Sequence, residues 1–170
     1  WNEVSWRAPL LGARIANWIG LHDFFCASAD DGFRWCVFDS LARQTRHLRR
    51  IVPGRLTGEP LVVALKGLIY GTLCLNGSDR AVAEAVSLLL RELPRQVLPD
   101  GGHAERNPSR LLRVLRHLID VRAALRVAKI EVPEEIQNSI ERMTPALRFF
   151  RHGDGGLALF NGSREEFLGQ

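Results

Sequence analysis

The side chains best suited to chemistry sit in one short run, Leu98-Pro-Asp-Gly-Gly-His-Ala-Glu-Arg-Asn-Pro108, which gathers Asp100, His103, Glu105, Arg106 and Asn107 ahead of a helix. An imidazole, two carboxylates, a guanidinium and an amide in so little chain supply the parts for proton transfer and for holding an anion. Gly101 and Gly102 carry no side-chain bulk, so backbone amides there can come close to a ligand. Asp-Gly-Gly is also a common turn and Asn107 suits a helix cap, so the same run reads as a structural entrance too. A second glycine-rich run, His152-Gly-Asp-Gly-Gly156, adds His152 and Asp154, with Asn161 shortly after. His152 alone also fits a cation placed near a helix C-terminus.

Helices must position these groups. Six segments carry helical periodicity, with turn chemistry between them. The first opens at Pro9 and sets Leu10, Leu11, Ile15, Trp18, Ile19 and Phe25 broadly on one side; after a turn at Ser28 to Gly32, the second aligns Phe33, Val37, Leu41 and Leu48 and ends at Pro53-Gly54. The third, Glu59 to Leu75, is apolar around most of its circumference, as expected of a helix packed on several sides. A turn at Asn76-Gly77-Ser78 leads to a fourth with the stripe Val82, Val86, Leu89, Leu93 and Val97, where Pro94 should bend or interrupt the last turn. Asn107-Pro108 is a strong helix start for a fifth through Leu111, Leu115, Leu118 and Leu125. Pro133-Glu134-Glu135 opens a sixth along Ile136, Ile140, Met143, Leu147 and Phe150.

The expected fold class is therefore all-α, with consecutive helices forming antiparallel hairpins. Residues Gly155 to Gly162 read as a short strand or an extended exit. In this arrangement the fourth and sixth helices end on the same rim, so the two glycine-rich runs are expected to face each other.

With 170 residues, 46% of them hydrophobic and 25% charged, the chain fits one globular domain with a single core, and neither disorder nor a fibrous repeat. Leu61 to Leu75 contains Lys66 and is too short to span a bilayer. The first residue is Trp1 and no leader pattern follows, so the natural beginning is expected to be missing and the compartment stays unassigned. Cys26, Cys36 and Cys74 are odd in number, match no zinc spacing and lie in apolar helical stretches, which predicts buried thiols, no metal and no cofactor. Net charge is +4 and only Lys66 and Lys129 are lysines. Arginine's rigid fork matches carboxylate and sulfate oxygens and suits an acidic polymer, although a coding bias toward arginine gives the same composition.

The run Gln96 to Pro108, together with Met143 to Phe150, Arg151-His-Gly-Asp-Gly155 and Phe160-Asn-Gly162, resembles the helical N-terminal region of heparinase II/III-type polysaccharide lyases. Trp18-Ile19, Gln44, His47 and Leu48 also fall where that pattern expects them. The resemblance implies that residues 1–170 form part of an incomplete α/α toroid, completed by a C-terminal β-sandwich of the same polypeptide that lies beyond this chain. It implies β-elimination on an acidic polysaccharide: the uronate carboxylate is neutralised, a base removes the C5 proton and an acid protonates the departing oxygen. On this reading His103 neutralises the carboxylate, Glu105 fixes the imidazole tautomer, and Arg106 and Asn107 bind sulfate or carboxylate, with Asp100, Asp154 and Asn161 as further substrate contacts. The lyases use a tyrosine as base and acid near the end of this region. Here the only tyrosine, Tyr70, lies far earlier, and His152 is the substitute for proton transfer.

Two other readings use the same residues. A glycoside hydrolase of toroid architecture would need paired carboxyls, for which Asp100, Glu105 and Asp154 are candidates. A non-catalytic domain would bind an anionic glycan with the same loop. The stripe Arg43, Arg46 and Arg50 lacks interleaved aromatics, so no nucleic-acid partner is expected.

Overall fold

A computed structural model describes residues 4–54, 56–75 and 78–165. Among these the chain is all-helical: a short 3-10 turn at Val4–Trp6 precedes α1 (Ala8–Gly20), α2 (His22–Cys26), α3 (Asp31–Ile51), α4 (Gly58–Cys74), α5 (Asp79–Gln96), α6 (Pro108–Val127) and α7 (Glu134–Phe149). No strand forms among the described residues. The expected strand or exit after Gly155 contributes one isolated antiparallel bridge, Arg151 with Leu157. Of the expected Asn76-Gly77-Ser78 turn, the first two residues lie outside the described ones.

The first expected helix is two helices. Leu21 leaves the helical region (φ −107, ψ 13) directly after Gly20, and α2 restarts at His22. Apolar spacing runs through this break because α1 and α2 both keep a residue on the buried side, Ile15 and Cys26. Pro94 lies inside α5 and does not end it. Asp30 caps α3 by accepting the Phe33 N–H at 2.7 Å, and Asn107 caps α6 by accepting the Arg110 N–H at 2.9 Å, so both starts have a side-chain cause.

The chain divides into two compact units, Trp1–Leu89 and Leu90–Gln170. In the first, α1 packs most extensively on α4 rather than on α3, which lies nearer in sequence, and α3 also packs on α4. Glycines permit the first crossing: a Cβ on Gly67 would overlap the backbone of Gly12, and a Cβ on Gly12 would meet the backbone at Val63 and Ala64. Gly71, one turn on, leaves room for the Thr45 side chain of α3. The apolar circumference of α4 is thereby used on two sides, with Val62, Leu65, Leu68 and Ile69 buried. In the second unit α6 packs on α7, and Arg122 donates to Gln137 at 3.3 Å across the pair. Leu118, Val121, Leu125, Ile136 and Met143 fill the space between.

The thiols depart from expectation. Cys26 is buried, but Cys36 and Cys74 are exposed. Cys36 lies one residue off the inward stripe Val37, Leu41, Gln44 and Leu48 of α3, and Cys74 lies at the open end of α4. Desolvation of the partly covered Cys74 sulfur raises its pKa above the ordinary thiol value.

Candidate functional site

The Asp100 to Asn107 loop forms in the second unit as a tight reversal between α5 and α6. Gly101 N–H donates to Leu98 O, Leu98 N–H to Gly102 O and Ala104 N–H to Gln96 O, each at 2.9 Å, so the loop folds back on the end of α5. Gly101 has φ +80, and a Cβ there would overlap the Arg142 carbonyl of α7. Its glycine is required by conformation and by packing, not by an approaching ligand.

His103 is 1% exposed. The Glu105 backbone N–H donates to Nδ1 at 3.1 Å, which assigns the ring proton to Nε2, and Nε2 donates to the Gln96 side-chain oxygen at 3.1 Å. The Gln96 amide donates in turn to the buried Glu92 carboxylate at 2.8 Å, and Arg95 pairs with the other Glu92 oxygen at 3.4 Å. This chain of carboxylate, amide and imidazole satisfies polar groups that would otherwise be costly to bury. Glu92 had no place in the sequence reading, and Gln96 entered it only as the first residue of the run that carried the resemblance. A polar residue one helical turn before another on an otherwise apolar stripe was the available signal.

The expected roles of the neighbouring residues change with this geometry. Asp100 accepts the Gly102 N–H at 2.9 Å and pairs with Arg106, whose guanidinium, with that amide, holds the Asp100 carboxyl below its ordinary range. Glu105 orients the imidazole through its backbone, while its carboxylate pairs with Arg110 at 2.9 Å. Arg106 takes φ +50. Asn107 is locked at both ends of its amide: it caps α6, accepts from Ser163 Oγ at 3.0 Å and donates to the Asn161 carbonyl at 2.9 Å. Asn161, itself at φ +49, donates back to the Arg106 carbonyl at 3.0 Å. Ser109 Oγ donates to the Arg164 carbonyl and accepts the Arg164 N–H, closing the clasp.

Asp100, His103, Glu105, Arg106, Asn107 and Asn161 are therefore brought together, but they bond to one another and to the backbone. His152 and Asp154 lie in a separate exposed turn. There Asp154 accepts the Gly156 N–H at 2.9 Å, and no hydrogen bond or ion pair among the described residues links either to the 100–107 loop. The imidazole at 103, expected to neutralise a substrate carboxylate, is instead buried within the fold. No group of three or more histidine, cysteine or acidic side chains among the described residues could hold a metal ion.

No known protein-family profile matches the chain. No solved structure matches it either. It is similar to a bacterial protein named for where it is found. That relative is FtsZ-localized protein C of Caulobacter vibrioides (strain NA1000 / CB15N), 34% identical over 165 residues that cover 95% of this chain. The chain spans only 28% of the relative's length. The name overturns the expected polysaccharide lyase, together with its enzymatic keywords and its hydrolase and glycan-binding alternatives: the relative is described by association with FtsZ, not by a sugar reaction. The geometry agrees, because the groups assigned to carboxylate neutralisation and sulfate binding are already satisfied within the fold. No described helix is long and apolar enough to cross a membrane.

Proposed function

We propose that this chain is a non-enzymatic helical region through which a larger protein associates with FtsZ-containing assemblies by protein contacts. The observation that carries the reading is the 34% identity to FtsZ-localized protein C across 95% of the chain. Surface character supports it. In the loop rich in functional groups the imidazole and the Asn107 amide are turned inward and Asp100, Glu105 and Arg106 are held in ion pairs, whereas large apolar side chains stand outside: Phe24 is 88% exposed and Trp35 73%. Apolar surface of that kind marks contact with other proteins more often than a site for an acidic sugar.

We further propose that residues 1–170 behave as one domain and that their helices contribute to an incomplete α/α toroid of antiparallel hairpins. The residues first read as a site serve this architecture: Asp100, His103, Glu105, Arg106, Asn107 and Asn161 lock the α5–α6 connection to the segment after α7, and Asp154 shapes the turn that carries His152.

The test is localisation. The full chain fused to a fluorescent protein, expressed in cells with labelled FtsZ, is expected to concentrate where FtsZ does, and purified FtsZ is expected to retain the purified chain in a pull-down. A folded fusion spread evenly through the cell, with no retention by FtsZ, overturns the reading.

A further inference from the structure

The turn after α7 carries a surface that the inward loop does not explain. Phe149 is 84% exposed, Leu159 54% and Phe160 39%. Phe150 links them, its ring meeting Phe149 edge-on at 5.5 Å between centroids and Phe160 at 5.4 Å. The backbone beneath is hairpin-like: His152 N–H donates to Gly156 O and Ala158 N–H to Phe150 O, each at 2.8 Å, around Gly155 at φ +90. Only one side of the 157–160 segment is paired in this way. Among the described residues the N–H groups of Leu157 and Leu159 find no hydrogen-bond partner, and of the two Leu159 is exposed, beside the aromatic rings, whereas Leu157 is buried.

The charge along this stretch is mostly positive up to Arg164, after which Glu165 and Glu166 follow. Between Arg148 and Arg164 the sequence has a single carboxylate, Asp154, against three arginines and a histidine. Asp154 accepts the Gly156 amide and does not pair with an arginine. Arg148 and Arg151 are exposed and make no ion pair with any described residue. Arg148 also lies in the last turn of α7, where it complements the helix dipole, but Arg151 is past the helix and has no such role.

Resting on the protein-partner reading above, the geometry points to the kind of partner segment: a short, extended, acidic peptide with apolar anchors, laid along the 157–160 edge. Its backbone would pair with the exposed Leu159 position, its apolar side chains would cover Phe149, Leu159 and Phe160, and its carboxylates would meet Arg148 and Arg151. Arginines with no ion pair to a described residue, set beside aromatic rings, suit carboxylates on a segment that also carries apolar side chains. Nucleic acid is the weaker fit: Phe150 meets Phe149 and Phe160 edge-on, so the rings do not form a parallel series on which successive bases could stack.

The experiment is fluorescence anisotropy with the full chain and a labelled peptide that alternates Glu or Asp with Leu and Phe. A peptide with Lys at every acidic position serves as its counterpart. Binding of the acidic peptide is expected to weaken as salt rises, to fall about tenfold or more in Arg148→Glu/Arg151→Glu and in Phe149→Ser, and to be unchanged in Phe24→Ser, which lies in the other unit. The charge-reversed variant is expected to gain binding of the lysine peptide. Far-UV circular dichroism confirms that each variant is folded. Equal binding of both peptides by the unaltered chain, an affinity insensitive to charge reversal, or a preference for single-stranded oligonucleotide or anionic vesicles over the acidic peptide overturns the inference. A chain that co-localises with FtsZ equally well with and without Arg148→Glu/Arg151→Glu, and binds no acidic peptide, removes this surface while leaving the wider reading intact.

Discussion

At the scale of single residues, His103 gives the sharpest expectation. Both ring nitrogens are bonded in a buried position, so His103→Ala leaves the Gln96 oxygen and the Glu105 amide without this partner and opens a void. The loss is expected to be about 2–4 kcal/mol, read from urea denaturation, combining an unsatisfied buried group with lost packing. A variant as stable as the parent would show that the ring is not needed for the fold. Asp100 predicts a pH effect of definite sign. Its folded-state pKa is lowered by Arg106 first and then by the Gly102 amide, so the unfolded chain takes up this proton more readily. The stabilisation is present above the ordinary aspartate pKa and is lost as pH falls through that value toward the depressed one. Asp100→Asn should flatten this part of the acid limb by lowering stability near neutral pH, where the carboxylate is charged, while leaving stability at the acid end little changed.

The thiols offer a graded prediction from burial. Cys36 is exposed, Cys74 is exposed with a raised pKa, and Cys26 is buried. A thiol-reactive chromophore added to native protein near neutral pH should label Cys36 first, Cys74 more slowly because less of it is thiolate, and Cys26 only on unfolding. Mass spectrometry of the labelled peptides checks the order.

At the scale of elements, the decisive contact is the crossing of α1 and α4. Gly67→Ala places a methyl group into the Gly12 backbone, and neither helix has a flexible side chain there to give way. The expected cost is about 1–3 kcal/mol or more in thermal or urea unfolding. Gly20→Ala meets nothing within 4 Å and should be neutral or slightly stabilising, which controls for a general helix-propensity effect. Sequence made the helices legible where a cap or a stripe announces them: Asn107-Pro108 starts α6, and Val82 through Val97 trace α5 across Pro94. It did not reveal the break at Leu21, because the apolar spacing continues through it and only the backbone turns. Nor did it reveal what Gly67 and Gly71 do, since a glycine in an apolar helix has no pattern of its own until a second helix arrives.

For the whole molecule, α5 runs from the Trp1–Leu89 unit into the Leu90–Gln170 unit as one continuous helix. All four tryptophans, at positions 1, 6, 18 and 35, belong to the first unit, so their fluorescence follows that unit alone whereas far-UV circular dichroism follows both. If residues 1–170 are one domain, the two signals should lose structure in a single coincident transition. A fluorescence transition separated from the dichroism transition would show two domains instead.

Sequence by itself determined the helical class, most helix limits, the capping of α6 and the gathering of polar residues between α5 and α6, because these follow from local periodicity and turn chemistry. It could not determine which way those polar residues point. An aspartate, a histidine and an arginine in a glycine-rich loop have the same local signature whether they open toward a ligand or close on themselves. Only the tertiary structure decided it, by supplying Gln96 and Glu92 beneath the imidazole and the Asn161 to Arg164 segment against Asn107 and Ser109. A buried polar group must find its partners inside the fold, and those partners come both from the preceding helix and from a segment more than fifty residues away.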